Sequence, residues 1–519
     1  MEKPSATPVS DNSKSKRIAS NTLVLFIRML VITVVNLFSV RWVLNGLGVV
    51  DYGVFNAIAG VVTTSTCLSS VLAISTQRFY SYAMGQGNTI QLRDIFSVSL
   101  LLAVGLAIFI ILIFSCIGPW LIATKMTIPV ERLEAAQWVF GFALLSFVFS
   151  VIQIPFMGAI FAHEDMGIYA LITTVDCLLK LGAAYMIGKA TIDNLVFYGS
   201  ALSVIALLVM LSYIGFAIKK YTECHYRRVR GRRLFKELLS FSGWTFYGTM
   251  AGVGTTQGSI ILLNIFFGPV INAAFSIGNQ IYNALNTLNN STVLAFRPAM
   301  IKAYSGESFS YLNRLFSFSN KMTLYLLACV SVPFILEAKT ILNFWLGKEI
   351  VSDEMVLFCQ LYIVYTVCLA LQNPITIIMQ ATGHIRNYSI YVESLMILCV
   401  PINYLLFKMG MGATYTFGSM IGVCLVAHIV RLFFLKHYYS YFSFRPYLLS
   451  FIAPAIVIIA ISSCVGIWLH KCMDRDLLRF VMVSILSAST ILVMAYFIGI
   501  TKEERQKAKD FILQLLRRR

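Results

Sequence analysis

Apolar runs of about twenty residues or more, separated by short polar stretches, recur along the chain from near residue 20 to near residue 500. At 1.5 Å of rise per residue, a helix of about that length crosses the ~30 Å hydrocarbon core of a bilayer. Spans are predicted near 20–43, 53–77, 95–122, 136–161, 166–188, 194–218, 241–267, 270–296, 318–345, 355–380, 387–408, 412–435, 446–470 and 477–500, fourteen in all. The runs are continuous rather than alternating, so they do not read as barrel strands; in lipid a helix satisfies its backbone hydrogen bonds within each segment. The pattern predicts an all-α integral membrane protein. The first run follows KSKR but exceeds a signal-peptide core and has no small-residue cleavage site after it, so it is expected to be a retained helix.

The pattern also repeats. Shifting the sequence by 219 or 220 residues lays NGLGVVDYGVF over NIFFGPVINAAF, with Gly48 on Gly268, and lays Arg78 on Arg297. The same shift lays QIPFMGAIFAHEDMGIY over QNPITIIMQATGHIRNY, so that Pro155 meets Pro374 and Tyr169 meets Tyr388. Six spans separate equivalent points, an even number, which predicts two parallel lobes related by an axis along the membrane normal, a transporter architecture with the substrate path between the lobes. The expected division is an N-lobe at 1–218, a basic linker at 219–240, a C-lobe at 241–440, and two added spans with a basic tail at 441–519.

One span breaks the apolar rule. At 100° per residue, Asn272, Ser276, Asn279, Gln280, Asn286, Thr287, Asn290 and Arg297 fall within roughly 60° of Asn283 on the eighth span. Its counterpart on the second span is thinner, with Asn56, Thr63, Ser70 and Gln77 at seven-residue intervals. One or two intramembrane amides serve as glue between helices, at roughly 0.6–2 kcal/mol each. A full-length stripe ending in Arg predicts the wall of a water-filled cavity, and amides and hydroxyls match the donors and acceptors of sugar hydroxyls.

Charges inside apolar runs point inward as well, because each costs about 3 kcal/mol if it faces lipid at mid-bilayer. They are Arg28, Asp176, Lys180 and Glu393. Asp176 and Lys180, four apart, form either a structural ion pair or a coupling site. Arg28 has no evident local partner, and with Arg297 it suits a phosphate or pyrophosphate. Arg41 and Arg78, nearer span ends, read as snorkelling side chains.

The net charge of +18 raises the question of a nucleic-acid partner. Its placement answers it: with a cytoplasmic N-terminus, 29 of the 41 Lys and Arg lie on the cytoplasmic side, the positive-inside asymmetry. No nucleic-acid partner is expected. The dense block KKYTECHYRRVRGRRLFKE sets topology or touches anionic lipid, and KEERQKAKDFILQLLRRR reads as a cytoplasmic tail or a basic surface helix. The eleven Cys form no CxxC pair, and no HExxH, GxxxxGK[ST] or GxSxG occurs, so no catalytic residue, metal site or cofactor is expected. The glycines of GWTFYGTMAGVGTTQG stand at small-xxx-small spacing within a span, the signature of close helix packing.

The stretch NTLVLFIRMLVITVVNLFSVRWVLNGLGVVDYGVFNAIAG, with its RWVLNGLGVVDYG layout, and the following ISTQRFYSYAMGQGN resemble the Wzx-type polysaccharide flippases of the multidrug/oligosaccharidyl-lipid/polysaccharide exporter superfamily. The resemblance in hydropathy and lobe layout extends over nearly the whole chain. It implies a MATE-like fold of two six-helix lobes plus two helices, in the cytoplasmic membrane of a bacterium with both termini cytoplasmic. It implies translocation of an undecaprenyl-pyrophosphate-linked oligosaccharide for O-antigen, capsule or related polymers, with other polysaccharide-assembly proteins as partners. Cationic cavity residues of that family match Arg28 and Arg297, and coupling to a proton or sodium gradient would run through Asp176 or Glu393. The rival within the fold is a cation-coupled multidrug exporter. A membrane glycan polymerase or transferase is disfavoured by the short loops at 122–135 and 345–354, and a scaffold would leave the amide stripe merely packed.

Overall fold

The computed structural model describes residues 21–506 apart from 22–23, 33–34, 36–38, 40–41, 49–50, 56–57, 59–65, 125–129, 190–191, 230–231, 348–350, 474–475, 502–503 and positions 26, 44 and 53. Among the described residues the chain is helical, with no strand. We label α1 Thr66–Gly85 and α2 Thr89–Thr124; α3 Leu133–Ala162, α4 Met166–Met186 and α5 Asn194–Lys220; and α6 Arg232–Ser305. There follow α7 Phe309–Leu336, the short α8 Ala338–Leu346, α9 Asp353–Thr382, α10 Ile385–Lys408, α11 Tyr415–Tyr438, α12 Phe444–Cys472 and α13 Leu477–Gly499.

Ten of these helices are long and apolar enough to cross a membrane, and they coincide one for one with the expected spans three to six and nine to fourteen. The protein is a multi-pass membrane protein. Expected spans seven and eight both lie in α6, interrupted at Gly268, whose φ of 78° and ψ of −175° leave the helix. Spans one and two fall partly on residues outside the description; helical positions occur from Asn21 to Ile58, and α1 carries the second half of span two. Span nine needs correction: α7 ends at Leu336 rather than 345. Pro333 removes an N–H from its last turn, and the chain turns at Glu337 before α8 begins.

Contacts divide the chain into two compact units, one of Leu23–Thr249 and one containing Met250 onward. The division falls inside α6 because its first turns pack on α1: Phe241 meets Phe79 edge-on at 6.0 Å, and Ser242 Oγ donates to Ser75 Oγ at 2.9 Å. In the first unit, α3 runs against α5 so closely that a Cβ on Gly199 would stand 3.2 Å from Val139. In the second, spans thirteen and fourteen pack on α7. Ser462 Oγ donates to the Ser487 carbonyl at 3.0 Å, and the buried Lys321 of α7 holds Glu504 at 2.8 Å.

The repeat is written in the backbone. Four left-handed positions in the first unit, Gly48, Gly87, Glu164 and Gly188, answer to Gly268, Glu307, Gly383 and Gly410 in the second, at offsets of 220, 220, 219 and 222. Helices α3 and α9 break at the same repeat position, Gln153 and Gln372, each just ahead of a proline. Glu307 closes α6 as Gly87 closes α1: its N–H bonds the Tyr304 carbonyl at 3.1 Å and the next N–H bonds Ala303 at 2.9 Å, a Schellman cap. A side chain at φ 56° costs roughly 1–2 kcal/mol, against roughly 0.5–1 for the chain entropy of glycine. Glu307→Gly is therefore expected to raise stability by about 0.5–1 kcal/mol. A melting temperature in detergent unchanged or lowered by the substitution would contradict this.

Candidate functional site

Beyond Gly268, α6 buries one flank in the second unit. Phe275 packs on Tyr362 and Phe417, with ring centroids 4.9 and 5.5 Å apart. A Cβ on Gly278 would come within 2.6 Å of the Tyr362 ring, and Leu285, Leu288 and Asn289 are buried. The other flank carries the amides. Gln280, Asn283, Thr287 and Asn290 are exposed, and Asn279 and Asn286 are half-buried. The side chain of Asn272 lies outside the description.

The partners of these amides separate glue from cavity wall. Among the described residues, the only side-chain contact of Asn286 is a long 3.5 Å approach to the Tyr282 hydroxyl, and the buried Asn279 Oδ1 has no partner. No hydrogen bond among the described residues engages the side-chain amide of Gln280, Asn283 or Asn290, and the Thr287 hydroxyl donates within the helix to the Asn283 carbonyl at 2.8 Å. The stripe therefore does not serve as glue between described helices of its own unit. At its end Arg297 donates through Nη2 to Gln380 Oε1, while its Nε is buried without a partner.

A second polar line runs along α4, in the first unit. Tyr169, Thr173, Asp176 and Lys180 are spaced by four, three and four, one face of a helix. Arg28 lies on this line: its Nε donates to Thr173 Oγ1 at 2.7 Å, and its guanidinium sits 4.6 Å above the Tyr169 ring. Lys180 pairs with Asp176 at 2.8 Å. Both border a cavity of about 360 Å³ that also touches Ser146, Ser150 and Gln153 of α3, at the break in that helix. Arg28 thus has a partner, 145 residues away. It and Arg297 belong to different units, each engaged within its own.

Glu393 ends a π turn at Ser389–Glu393 in α10 and faces the buried Arg431 of α11, with Nη2 3.9 Å from Oε1. Arg431 Nε also donates to the Tyr388 hydroxyl at 3.1 Å, which in turn meets Thr376 Oγ1 at 2.9 Å. The two equivalent tyrosines, Tyr169 and Tyr388, each take an arginine, from non-equivalent helices.

The sequence reading missed several residues. Arg431 was legible as a charge inside the run GVCLVAHIVRLFF, by the same rule that singled out Glu393. Lys321 escaped because it stands near a span end. Arg78 is not a snorkelling side chain: it is 9% exposed and lies over the rings of Phe79, Tyr82 and Phe241 at 4.6, 5.2 and 5.0 Å. Arg41, Asn56 and Thr63 lie outside the description.

No family model matches the chain, and no curated protein matches it. Solved structures do. A multidrug resistance MATE family transporter of the MOP superfamily in its outward-facing conformation superposes with a TM-score of 0.71 at 16% identity, over 82% of this chain and 96% of that one. A MOP superfamily transporter from Pyrococcus furiosus, described as having a binding pocket of reverse polarity that suggests a different function, gives 0.72 at 15% identity over the same shares. MATE in its bent conformation gives 0.68 at 18%, again over 82% and 96%. At these identities the likeness concerns the fold, and the chain has the fold of the MATE transporters of the MOP superfamily.

Proposed function

We propose that this chain is a membrane transporter working by alternating access, and that its cargo is an oligosaccharide linked to a polyprenyl pyrophosphate in a bacterial cytoplasmic membrane. The amide flank of α6 carries the reading: Gln280, Asn283, Thr287 and Asn290 stand exposed along three turns of the helix that the sequence assigns to span eight, whose other flank is packed. An unpaired amide facing hydrocarbon costs roughly 4–8 kcal/mol on a water-to-alkane scale, so three amides in line require water. Amides that both donate and accept suit a glycan head. Arg297 and Arg28 suit its pyrophosphate, and the Asp176–Lys180 cavity or the Glu393–Arg431 pair suits a coupling proton or sodium ion. The RWVLNGLGVVDYG stretch supports the glycan cargo.

The test is export of lipid-linked glycan in a flippase-deficient strain, at matched membrane abundance. Asn283→Leu with Asn290→Leu is expected to lower export at least about tenfold, the effect of losing two hydrogen-bonded contacts of roughly 0.7–1 kcal/mol each. Full export by the double variant would remove the basis of the proposal. A second reading, a cation-coupled multidrug exporter, is favoured by the multidrug resistance transporter among the similar structures. Efflux of cationic dyes, with no rescue of glycan export, would establish it instead.

A further inference from the structure

Three connections of the first unit meet at the end of the unit that the charge distribution assigns to the cytoplasm: the α1–α2 turn, the α3–α4 turn and the chain after α5. They enclose a pocket of about 420 Å³. Its polar lining is Asn88, Arg93, His163, Thr222, Glu223 and Arg227, and its apolar lining includes Met84, Ile90 and Leu92.

The pocket is built rather than incidental. The Arg227 N–H donates to Ser97 Oγ at 2.9 Å, which pins the basic linker over α2 one turn from Arg93. His163 Nε2 meets Glu223 Oε1 at 2.6 Å, and its ring stacks on Tyr221 at 4.2 Å. The Glu223 carboxylate is thus committed to His163: burial works to raise its pKa, but the hydrogen bond from His163, a backbone N–H and the His163 charge hold it below the ordinary value. Among the described residues no carboxylate pairs with Arg93 or Arg227. Arg93 makes one 3.5 Å approach to the Thr222 carbonyl.

The second unit supplies the comparison. Tyr221 and Tyr439 end α5 and α11 in the same way, each N–H bonding the carbonyl four residues back at 2.8 Å and each carbonyl taking an N–H from three residues ahead. By that local register of 218 Glu223 answers to Tyr441, and by the offset of 220 Met84, Thr89 and Arg93 answer to Tyr304, Phe309 and Asn313. There the corner is filled with rings. Phe309 stacks on Tyr441 at 4.3 Å, and Tyr439 touches Tyr304, Phe309 and Tyr441 at 6.4, 6.0 and 5.8 Å. The first unit has exchanged that aromatic plug for a hollow, with Arg93 in place of Asn313 and with Arg227 at the position that Arg445 takes by the register of 218.

From this exchange we infer that the hollow binds a phosphate ester, the headgroup of an anionic phospholipid of the inner leaflet. Two guanidinium forks suit the phosphate oxygens. Ile90, 70% exposed at the start of α2, offers an apolar lip beside the chains of a lipid. This site is separate from the amide stripe and does not depend on what the transporter carries.

The test follows the melting of the purified full-length protein in neutral detergent on titration with phosphatidylglycerol, phosphatidylcholine or inorganic phosphate. A ligand that binds only the folded state raises the melting temperature. Phosphatidylglycerol is expected to raise it and phosphatidylcholine not. R93A/R227A is expected to need about tenfold more phosphatidylglycerol for the same rise. Lys219→Ala with Arg228→Ala, an equal loss of charge outside the pocket, is expected to leave the titration in place. Met84→Tyr, which brings in the ring that the second unit carries at that corner, is expected to weaken binding without lowering the unliganded melting point. A rise with inorganic phosphate that is also lost in R93A/R227A supports the phosphate site and assigns it to a soluble ester. Equal responses from the two charge-loss pairs, or no difference between the two lipids in the unsubstituted protein, would overturn the inference.

Discussion

Glu337→Ala is expected to destabilise the protein by about 3–5 kcal/mol, the largest single-residue effect foreseen for this chain. Glu337 is 1% exposed at the turn that ends α7. Arg479 Nε and Nη2 grip its two oxygens at 2.9 and 3.2 Å, His470 Nδ1 meets one at 2.7 Å, and Thr340 Oγ1 donates to the other at 2.9 Å. Truncation removes the carboxylate that the Arg479 guanidinium, 14% exposed, and His470 both engage. Replacing both, Glu337→Met with Arg479→Met, removes the charge and its partner together and is expected to recover most of the loss. Unfolding in detergent, followed by tryptophan fluorescence, measures both. A Glu337→Ala loss below about 1 kcal/mol, or a double variant no better than the single one, would show that the ion pair does not anchor α8, α12 and α13.

The second large effect is at Arg431. Its removal, as Arg431→Met, leaves Glu393 facing an apolar interior and takes a hydrogen bond from Tyr388, for an expected loss of about 3 kcal/mol. Glu393→Gln with Arg431→Met is expected to restore folding. That double variant also separates two roles. If the pair only holds α10 to α11, the refolded protein transports; if Glu393 takes part in ion coupling, the protein folds and transport no longer responds to the ion gradient. Failure of the double variant to regain stability would mean that the partner of Arg431 is Tyr388 rather than the carboxylate.

What the sequence revealed follows from the range of the interactions involved. Membrane spans are local and stretch over about twenty residues, so hydropathy found ten of them and placed nine to within a few positions. The shift of about 220 residues found Gly48 with Gly268 and Pro155 with Pro374, because glycines at positive φ and helix-breaking prolines are constraints on single positions. The exposed flank of α6 was legible as a 100° periodicity. Partners were not legible: Arg28 finds Thr173 across 145 residues and Glu337 finds Arg479 across 142, and no periodicity encodes contacts between helices so far apart in the chain. The end of span nine was missed for a related reason, since apolarity continues into α8 while the helix stops where Pro333 and the buried Glu337 require a turn.

The π turn at Ser389–Glu393 carries one residue more than an ordinary helical turn. It lies where the offset between the two copies grows from 219 at Gly383 to 222 at Gly410. The extra residue of the π turn matches one of these three surplus positions and stands within the helix rather than in a connection. Everything on α10 before that turn is rotated by about 100° against everything after it. The turn ends on Glu393, so the residue that faces Arg431 of α11 stands at the point where the helical register changes.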